Sequence, residues 1–349
     1  MDVEKVAKAI TYLRKRAGYT QRDLATRLGV SDKAVSRWER GLGLPDVSLL
    51  GKISILLDTD TDSLLSGDVI HHDKGWHGLL ILDENACGIG PETIIYDKPL
   101  LYYLLSYFLL VGIRQIKVVC SQSAREYIQR EIMDQTPFEF VLSFSDCVSS
   151  AARDEAFMTC ENLMIVFGKS IIYGVDMTRF LQKAMADKSR ITLLTLPKGT
   201  KGASSYIRFD TNKKIVPEDH DDQMKTQYNY CDMPVLFCPR AQFARAFSGQ
   251  RETGDLSALF RNQDVYIEAL DRGFVEINIQ SWDDVAEASS FVQIVQRHCG
   301  MVIYCLEEVA WRRGLLSFEA LTAAGERKKE TYYGKYMLQL SDLAGAKTL

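Results

Sequence analysis

GLLILDENACGIGPETIIYDKPLLYYLLSYFLLVG, residues 78–112, reads as strand, loop, helix. Gly78–Leu82 is a short apolar run without helical spacing, as expected of a strand covered on both faces of a parallel sheet. Pro99 stands where a first helical turn begins, a place that needs no N–H. From Leu100 to Val111 nearly every residue is apolar, and Gly112 supplies a stop that tolerates positive φ. Twelve residues are too few to span a bilayer, so the segment is a helix buried against a sheet. Ile116–Cys120 reads as the next strand and closes a βαβ unit.

Downstream the same alternation continues. Helical SAREYIQREIM (123–133) precedes strand-like FEFVL (138–142), AARDEAF (151–157) leads to NLMIVF (162–167), and MTRFLQKAMAD (177–187) leads to ITLLTL (191–196). Alternation of this kind predicts a doubly wound α/β sheet with helices on both faces. In such sheets ligands bind beyond the carboxyl ends of the strands, near the point where strand order reverses.

Upstream the composition changes. The chain of 349 residues carries a net charge of −4, yet residues 1–57 hold eleven Lys and Arg against six Asp and Glu, a net +5 that leaves −9 for the rest. A basic head on an acidic body points to a polyanion as the head's partner. Val6, Ile10 and Leu13 mark the inner face of a first helix. Thr20 caps a second, TQRDLATRL, which Gly29 stops, and Ser31 caps a third, SDKAVSRWERG, which Gly41 stops. Two short helices joined by a Gly-containing turn form a helix-turn-helix, and VSLLGKISILL and TDSLL complete a small all-α bundle. The expected organisation is multidomain: a helix-turn-helix over 1–66, a linker over 67–76, and an α/β domain over 77–349 with closing helices from about 301.

Eight cysteines lie scattered in apolar segments without a C-x-x-C pair, which predicts buried thiols rather than zinc ligands or disulfides. His71, His72 and His77 are framed by no cysteine or carboxylate pattern and read as solvated linker residues. Met1 leads straight into a charged amphipathic segment, so no signal peptide is read, and the expected location is cytoplasmic, away from any membrane.

TQRDLATRLGVSDKAVSRWERGLGLPDVSLLGKISILL resembles the Cro and phage-repressor (XRE-type) family of DNA-binding domains, over residues 3–66. The resemblance implies that double-stranded DNA is a partner. Gln21 takes the place of a residue that contacts the DNA backbone. Ser31 caps the recognition helix, from which Asp32, Lys33, Ser36 and Arg37 face base edges in the major groove. Lys33 and Arg37 suit guanine and Asp32 suits a cytosine amine, while Arg14, Arg22 and Arg40 are candidates for phosphate contact. Paired heads on a two-fold site imply a homodimer or a higher homo-oligomer.

YDKPLLYYLLSYFLLVGIRQIKVV resembles the sugar-nucleotide-forming nucleotidyltransferases, most closely the glucose-1-phosphate thymidylyltransferases, and the likeness runs over about residues 77–340. It implies a Rossmann-like, nucleotide-diphospho-sugar transferase fold. At the reacting groups the chain departs from the family. Only fifteen residues, Asp83–Asp97, replace the longer glycine-rich loop, and neither its triphosphate-gripping arginine nor its signature lysine has a counterpart. Lys98 matches the lysine of the helix-opening Asp-Lys-Pro. Lys169, in NLMIVFGKSIIYG, stands at one metal-binding aspartate, and Asn278, in FVEINIQSWDDVAEA, stands at the other. An ammonium repels a cation and a neutral amide brings no charge, so the main catalytic stabilisation is lost. Ser143 matches a base-contacting glutamine, and Glu218–Asp221 match a sugar-binding Glu-Glu-Lys-Pro without its lysine.

The expected function is a transcriptional regulator whose body is a nucleotidyltransferase-like domain without catalytic or metal-binding residues and without a cofactor. Its body pairs the heads, senses a nucleotide sugar or sugar phosphate, or does both. The candidate pocket is Asp83, Lys98, Ser143, Lys169, Asp219, His220 and Asn278. The alternative is an active sugar-phosphate nucleotidyltransferase, requiring Mg²⁺, with an attached DNA-binding domain.

Overall fold

The computed structural model describes residues 2–16, 19–57, 59, 61–66, 75–82, 87–196, 207–209, 229–231, 234–247 and 265–346. The head is α1 (Val3–Arg16), α2 (Gln21–Leu28), α3 (Asp32–Glu39), α4 (Val47–Leu56) and α5 (Thr61–Ser66). Val6, Ile10 and Leu13 are fully buried with Leu24, Val35 and Ile53, so the expected inner face is the real one. Thr20 caps α2 in a capping box with Asp23, and Gly29 ends it in the left-handed region at φ 71°. Ser31 caps α3 through the Ala34 amide.

The body begins with β1 (Trp76–Ile81), whose first residue lies inside the stretch expected as linker. In chain order β2 (Ile94–Ile95), β3 (Lys98–Pro99), α6 (Leu100–Leu110), β4 (Gln115–Val119) and α7 (Gln122–Ile128) follow. A single π-helical segment, Gln129–Met133, extends α7. Next come β5 (Val141–Ser145), α8 (Val148–Arg153), β6 (Asn162–Phe167), β7 (Ser170–Tyr173), α9 (Met177–Ala186), β8 (Ile191–Thr195), β9 (Ile207–Phe209) and β10 (Asn229–Cys231). Then follow β11 (Val235–Pro239), α10 (Arg240–Phe247), β12 (Val265–Ala269), β13 (Val275–Asn278) and α11 (Trp282–Cys299). The chain closes with α12 (Leu306–Arg312), α13 (Phe318–Arg327) and α14 (Tyr332–Ala346).

Among the described residues the main sheet has seven strands in the order β12-β8-β11-β6-β1-β4-β5. β1 runs parallel to both β4 and β6, and β11 is antiparallel to both its neighbours. From β1 the chain steps outward to β4 and β5, then returns to place β6 on β1's other side. The switch point therefore lies between β1 and β6. Leu80, Val118 and Met164 point to one face with α6 and α11, while Leu79, Val119 and Leu163 point to the other. Both faces are covered, as the alternation required. No described helix is long and apolar enough to cross a membrane. The head meets the body where the Tyr12 hydroxyl donates to the Arg313 carbonyl at 3.2 Å.

α6 is buried over Leu100–Leu109, and Gly112 follows it at φ 78°. Each fully buried leucine there is worth about 1.5–3 kcal/mol. Its Tyr107 hydroxyl donates to the Ile172 carbonyl and accepts from the Ile172 amide, fastening the helix to β7. The helix that decides the fold thus also fixes the strand that follows the switch point.

Two expected elements are displaced. The strand anticipated over 138–142 begins at Val141, because Phe138 and Phe140 stack on each other at 4.9 Å and Glu139 donates its amide to the Leu315 carbonyl. The helix anticipated over 151–157 runs from Val148 to Arg153, and Asp154 then turns away to accept from the buried Lys117 ammonium at 2.8 Å.

Candidate functional site

In the head, the recognition helix is held by a clamp. Glu39 accepts from Arg14 Nε at 2.5 Å and from Arg14 Nη2 at 3.0 Å, and from the Gln21 amide at 2.7 Å. Arg14 Nη1 also donates to the Tyr19 carbonyl at 2.6 Å. Arg14 is thus committed to the interior, with a side chain 10% exposed, and the expectation that it reaches a phosphate is corrected. Its charge closes α1 and α2 onto α3. Gln21 is half-buried beside it, its amide nitrogen engaged with Glu39.

The outward face of α3 is otherwise open. Asp32, Lys33, Arg37 and Arg40 are exposed and Ser36 is half-exposed, while Val35 and Trp38 are buried beneath them. Spacings of three and four put Lys33, Ser36, Arg37 and Arg40 on one stripe. Ser31 spends its hydroxyl on the cap, and Arg22 is exposed on α2.

In the body, the chain leaves β6 through Gly168 and Lys169. The Gly168 amide donates to the Ile81 carbonyl at 2.8 Å, so β6 and β1 end in contact at the switch point. A Cβ at Gly168 would stand 2.7 Å from Leu82 Cδ2 and 3.0 Å from the Ile81 oxygen. Gly168→Ala is expected to cost about 1–3 kcal/mol, read as a lower denaturant midpoint at unchanged slope, because the backbone oxygen has no room to yield. An unchanged midpoint would show that the strand ends part freely.

β7 and β13 pair antiparallel, with Asn278 opposite Ser170, and the Ile279 amide donates to the Lys169 carbonyl at 2.6 Å. The two residues singled out at the family's metal positions are therefore neighbours in space. The Lys169 ammonium repels a divalent cation, and the Asn278 amide offers it one neutral oxygen and no charge, so the pair does not fit the metal. Among the described residues no group of three or more His, Cys, Asp or Glu side chains is arranged to hold a metal ion.

The other pocket candidates scatter. Ser143 sits in mid-strand on β5, opposite Lys117 of β4, and not at a strand end. Asp83, Asp219 and His220 lie outside the described residues. Lys98 is sealed: its side chain is 1% exposed, and its ammonium donates to Asp97 and to the Tyr103 hydroxyl, both at 3.0 Å. Burial pushes its pKa below the usual lysine range. It anchors the closing helices instead of lining an opening, since the Gln296 amide of α11 donates to the other Asp97 oxygen at 2.8 Å.

A cavity of about 340 Å³ opens between the Gly88–Glu92 loop and Ser123, Ala124 and Tyr127 of α7. Its loop follows β1 and its helix follows β4, so it lies on the side of β1 away from the switch point between β1 and β6. Burial and the nearby Glu131 and Glu92 carboxylates raise the Tyr127 phenol's pKa, so that wall stays a neutral hydroxyl. Sequence reading missed these residues; their one signal was that they belong to the loop after β1 and the helix after β4.

Known proteins place both parts. Residues 10–64 match the helix-turn-helix family model, and a helix-turn-helix DNA-binding domain is present. A glucose-1-phosphate thymidylyltransferase of Neisseria meningitidis is 29% identical over 266 residues, covering 72% of this chain and 92% of the relative. Another, from Mycolicibacterium smegmatis, is 25% identical, covering 76% and 99%. A Bacillus anthracis structure bearing the same enzyme name, in complex with a sucrose, superposes with a TM-score of 0.50 at 10% identity, over 62% of this chain and 94% of that one, which speaks to the fold alone. Residues 90–299 match the nucleotidyl transferase model, and with the switch-point sheet and its closing helices in place, the chain belongs to the nucleotidyl transferase family.

Proposed function

We propose that the chain is a transcriptional regulator that binds double-stranded DNA through α2 and α3 and senses a sugar phosphate or nucleotide sugar in its transferase domain without turning it over. The observation that carries the reading is Lys169 beside Asn278 at the switch point. Phosphoryl transfer is accelerated chiefly by metal and cationic stabilisation of the transferring group. A site holding an ammonium and an amide where the resembling family holds two carboxylates has lost that metal. It keeps one positive charge able to pair with a diphosphate. In the head, Lys33, Ser36, Arg37 and Asp32 are the proposed base readers, and Gln21, Arg22, Arg40 and the Ser31 end of α3 the proposed backbone contacts.

The decisive experiment mixes the full chain with Mg²⁺, thymidine triphosphate and glucose 1-phosphate and follows pyrophosphate. No release above the protein-free rate is expected. Thermal unfolding in the absence of metal is then run with glucose 1-phosphate, thymidine nucleotides and the sugar nucleotide that joins them. A true ligand at a hundred times its Kd stabilises by roughly 2.7 kcal/mol. Steady pyrophosphate release sinks the sensor reading in favour of an active transferase with an attached DNA-binding domain. That second reading draws on the likeness to thymidylyltransferases over nearly their whole length.

A further inference from the structure

α11 turns an unusual face outward. Trp282, Asp283, Ala286, Ser290, Ile294 and Arg297 are all exposed, and helical spacing puts them on one side, centred on Ser290. A surface helix ordinarily presents charged groups there. Here Trp282 is 58% and Ile294 59% exposed, and Ala286 and Ser290 between them are small. The exposed charge between the two ends is Glu287 on the flank, which a two-fold axis at Ser290 would set against an uncharged glutamine, the partner's Gln293. Asp283 lies in the first turn and Arg297 in the last.

We propose that this face is the contact between two copies of the chain, α11 packing antiparallel on its twin about a two-fold axis at Ser290. In an isologous contact, residue i meets j and j meets i. With the axis at Ser290, Asp283 meets the partner's Arg297, and Ala286 meets the partner's Ile294. Two ion pairs form at the ends. Ala286 and Ser290 leave room for the helix axes to approach within about 8–10 Å. A parallel pairing would instead set Asp283 against Asp283 and Arg297 against Arg297, so the charges select the antiparallel arrangement. The contact borders the candidate ligand cavity, because Trp282 Nε1 donates to the Cys87 carbonyl at 3.2 Å, next to the Gly88–Glu92 loop. That the pair serves to present two heads to a two-fold DNA site rests on the regulator reading; the pairing itself does not.

The test is sedimentation equilibrium of the full chain and its variants, with circular dichroism confirming that each folds. The wild type is expected to dimerise. Asp283→Arg and Arg297→Asp should each weaken the dimer roughly 30-fold or more. The double reversal should restore it to within about threefold, since both ion pairs re-form with opposite sign. Ser290→Cys, on the axis, should yield a disulfide-linked dimer under mild oxidant, whereas Val175→Cys, at an exposed position elsewhere, should not. A monomer at every concentration up to about 100 μM overturns the inference, a concentration at which even a weak specific pair would associate. So does a dimer that neither reversal moves, or a double reversal that restores nothing. A dimer that behaves as expected but binds no DNA removes the regulator reading and upholds the pairing.

Discussion

Lys33→Ala combined with Arg37→Ala is expected to weaken the full chain's binding to its preferred duplex by about a hundredfold or more, while the thermal midpoint moves little. Both side chains are exposed on the open stripe of α3 and neither supports the head's core, which is formed beneath them by Val35 and Trp38. A good bidentate contact to a base is worth about 1–3 kcal/mol, and two together account for the loss. The duplex is obtained by selection from a random pool, and affinity is followed by anisotropy across a salt series. If the two cations read bases, the variant loses discrimination between selected and random DNA. If they touch only phosphate, affinity falls evenly on all sequences and the salt slope drops by about one unit per cation. Unaltered affinity would remove α3 from the interface. Arg14→Ala must behave differently: it strips Glu39 of its clamp and should lower the thermal midpoint along with binding.

The head was legible because its signals are local. Thr20, Gly29, Ser31 and Gly41 act within one turn of where they stand, so caps and stops could be read directly from the chain. α6 was equally clear, since a continuous apolar run between Pro99 and Gly112 leaves no face for solvent. The misplaced elements depend on distant partners. Phe138 and Phe140 look like alternating strand residues, yet the backbone between them bonds to Leu315, far along the chain. Lys117 carries a charge in mid-strand and is tolerated only because Asp154 comes to meet it. The site divides in the same way. Lys169 follows β6 and Asn278 ends β13, and topology brought them together. Lys98 was placed in the candidate pocket because it matches the lysine of the resembling family's helix-opening Asp-Lys-Pro. Its direction is set by Tyr103 and by helices arriving two hundred residues later, which no local pattern encodes.

Lys98→Met is therefore expected to act on stability and not on ligand affinity, at a cost of about 3–5 kcal/mol. The substitution removes the cation from a buried pair and strands the Asp97 carboxylate, itself only 5% exposed. Gln296 continues to donate to one Asp97 oxygen, but a neutral amide does not replace the charge. Asp97→Asn added to Lys98→Met should recover most of the loss, since a neutral pair of similar volume costs little to bury. The pH dependence gives an independent check. Burial lowers the folded-state pKa of Lys98 below the unfolded value of 10.5. In the window between the two values the unfolded chain holds more protons than the folded one, so through this group stability rises with pH. That contribution is complete above 10.5 and is lost as pH falls through the folded value. Methionine does not titrate, so the stability gap between wild type and Lys98→Met should widen as pH climbs toward 10.5, measured from urea midpoints at a series of pH values. A gap that stays constant or narrows would mean that the ammonium is hydrated in the native protein. Lys98 would then return to the candidate pocket, and Lys98→Met should instead weaken ligand binding without lowering stability.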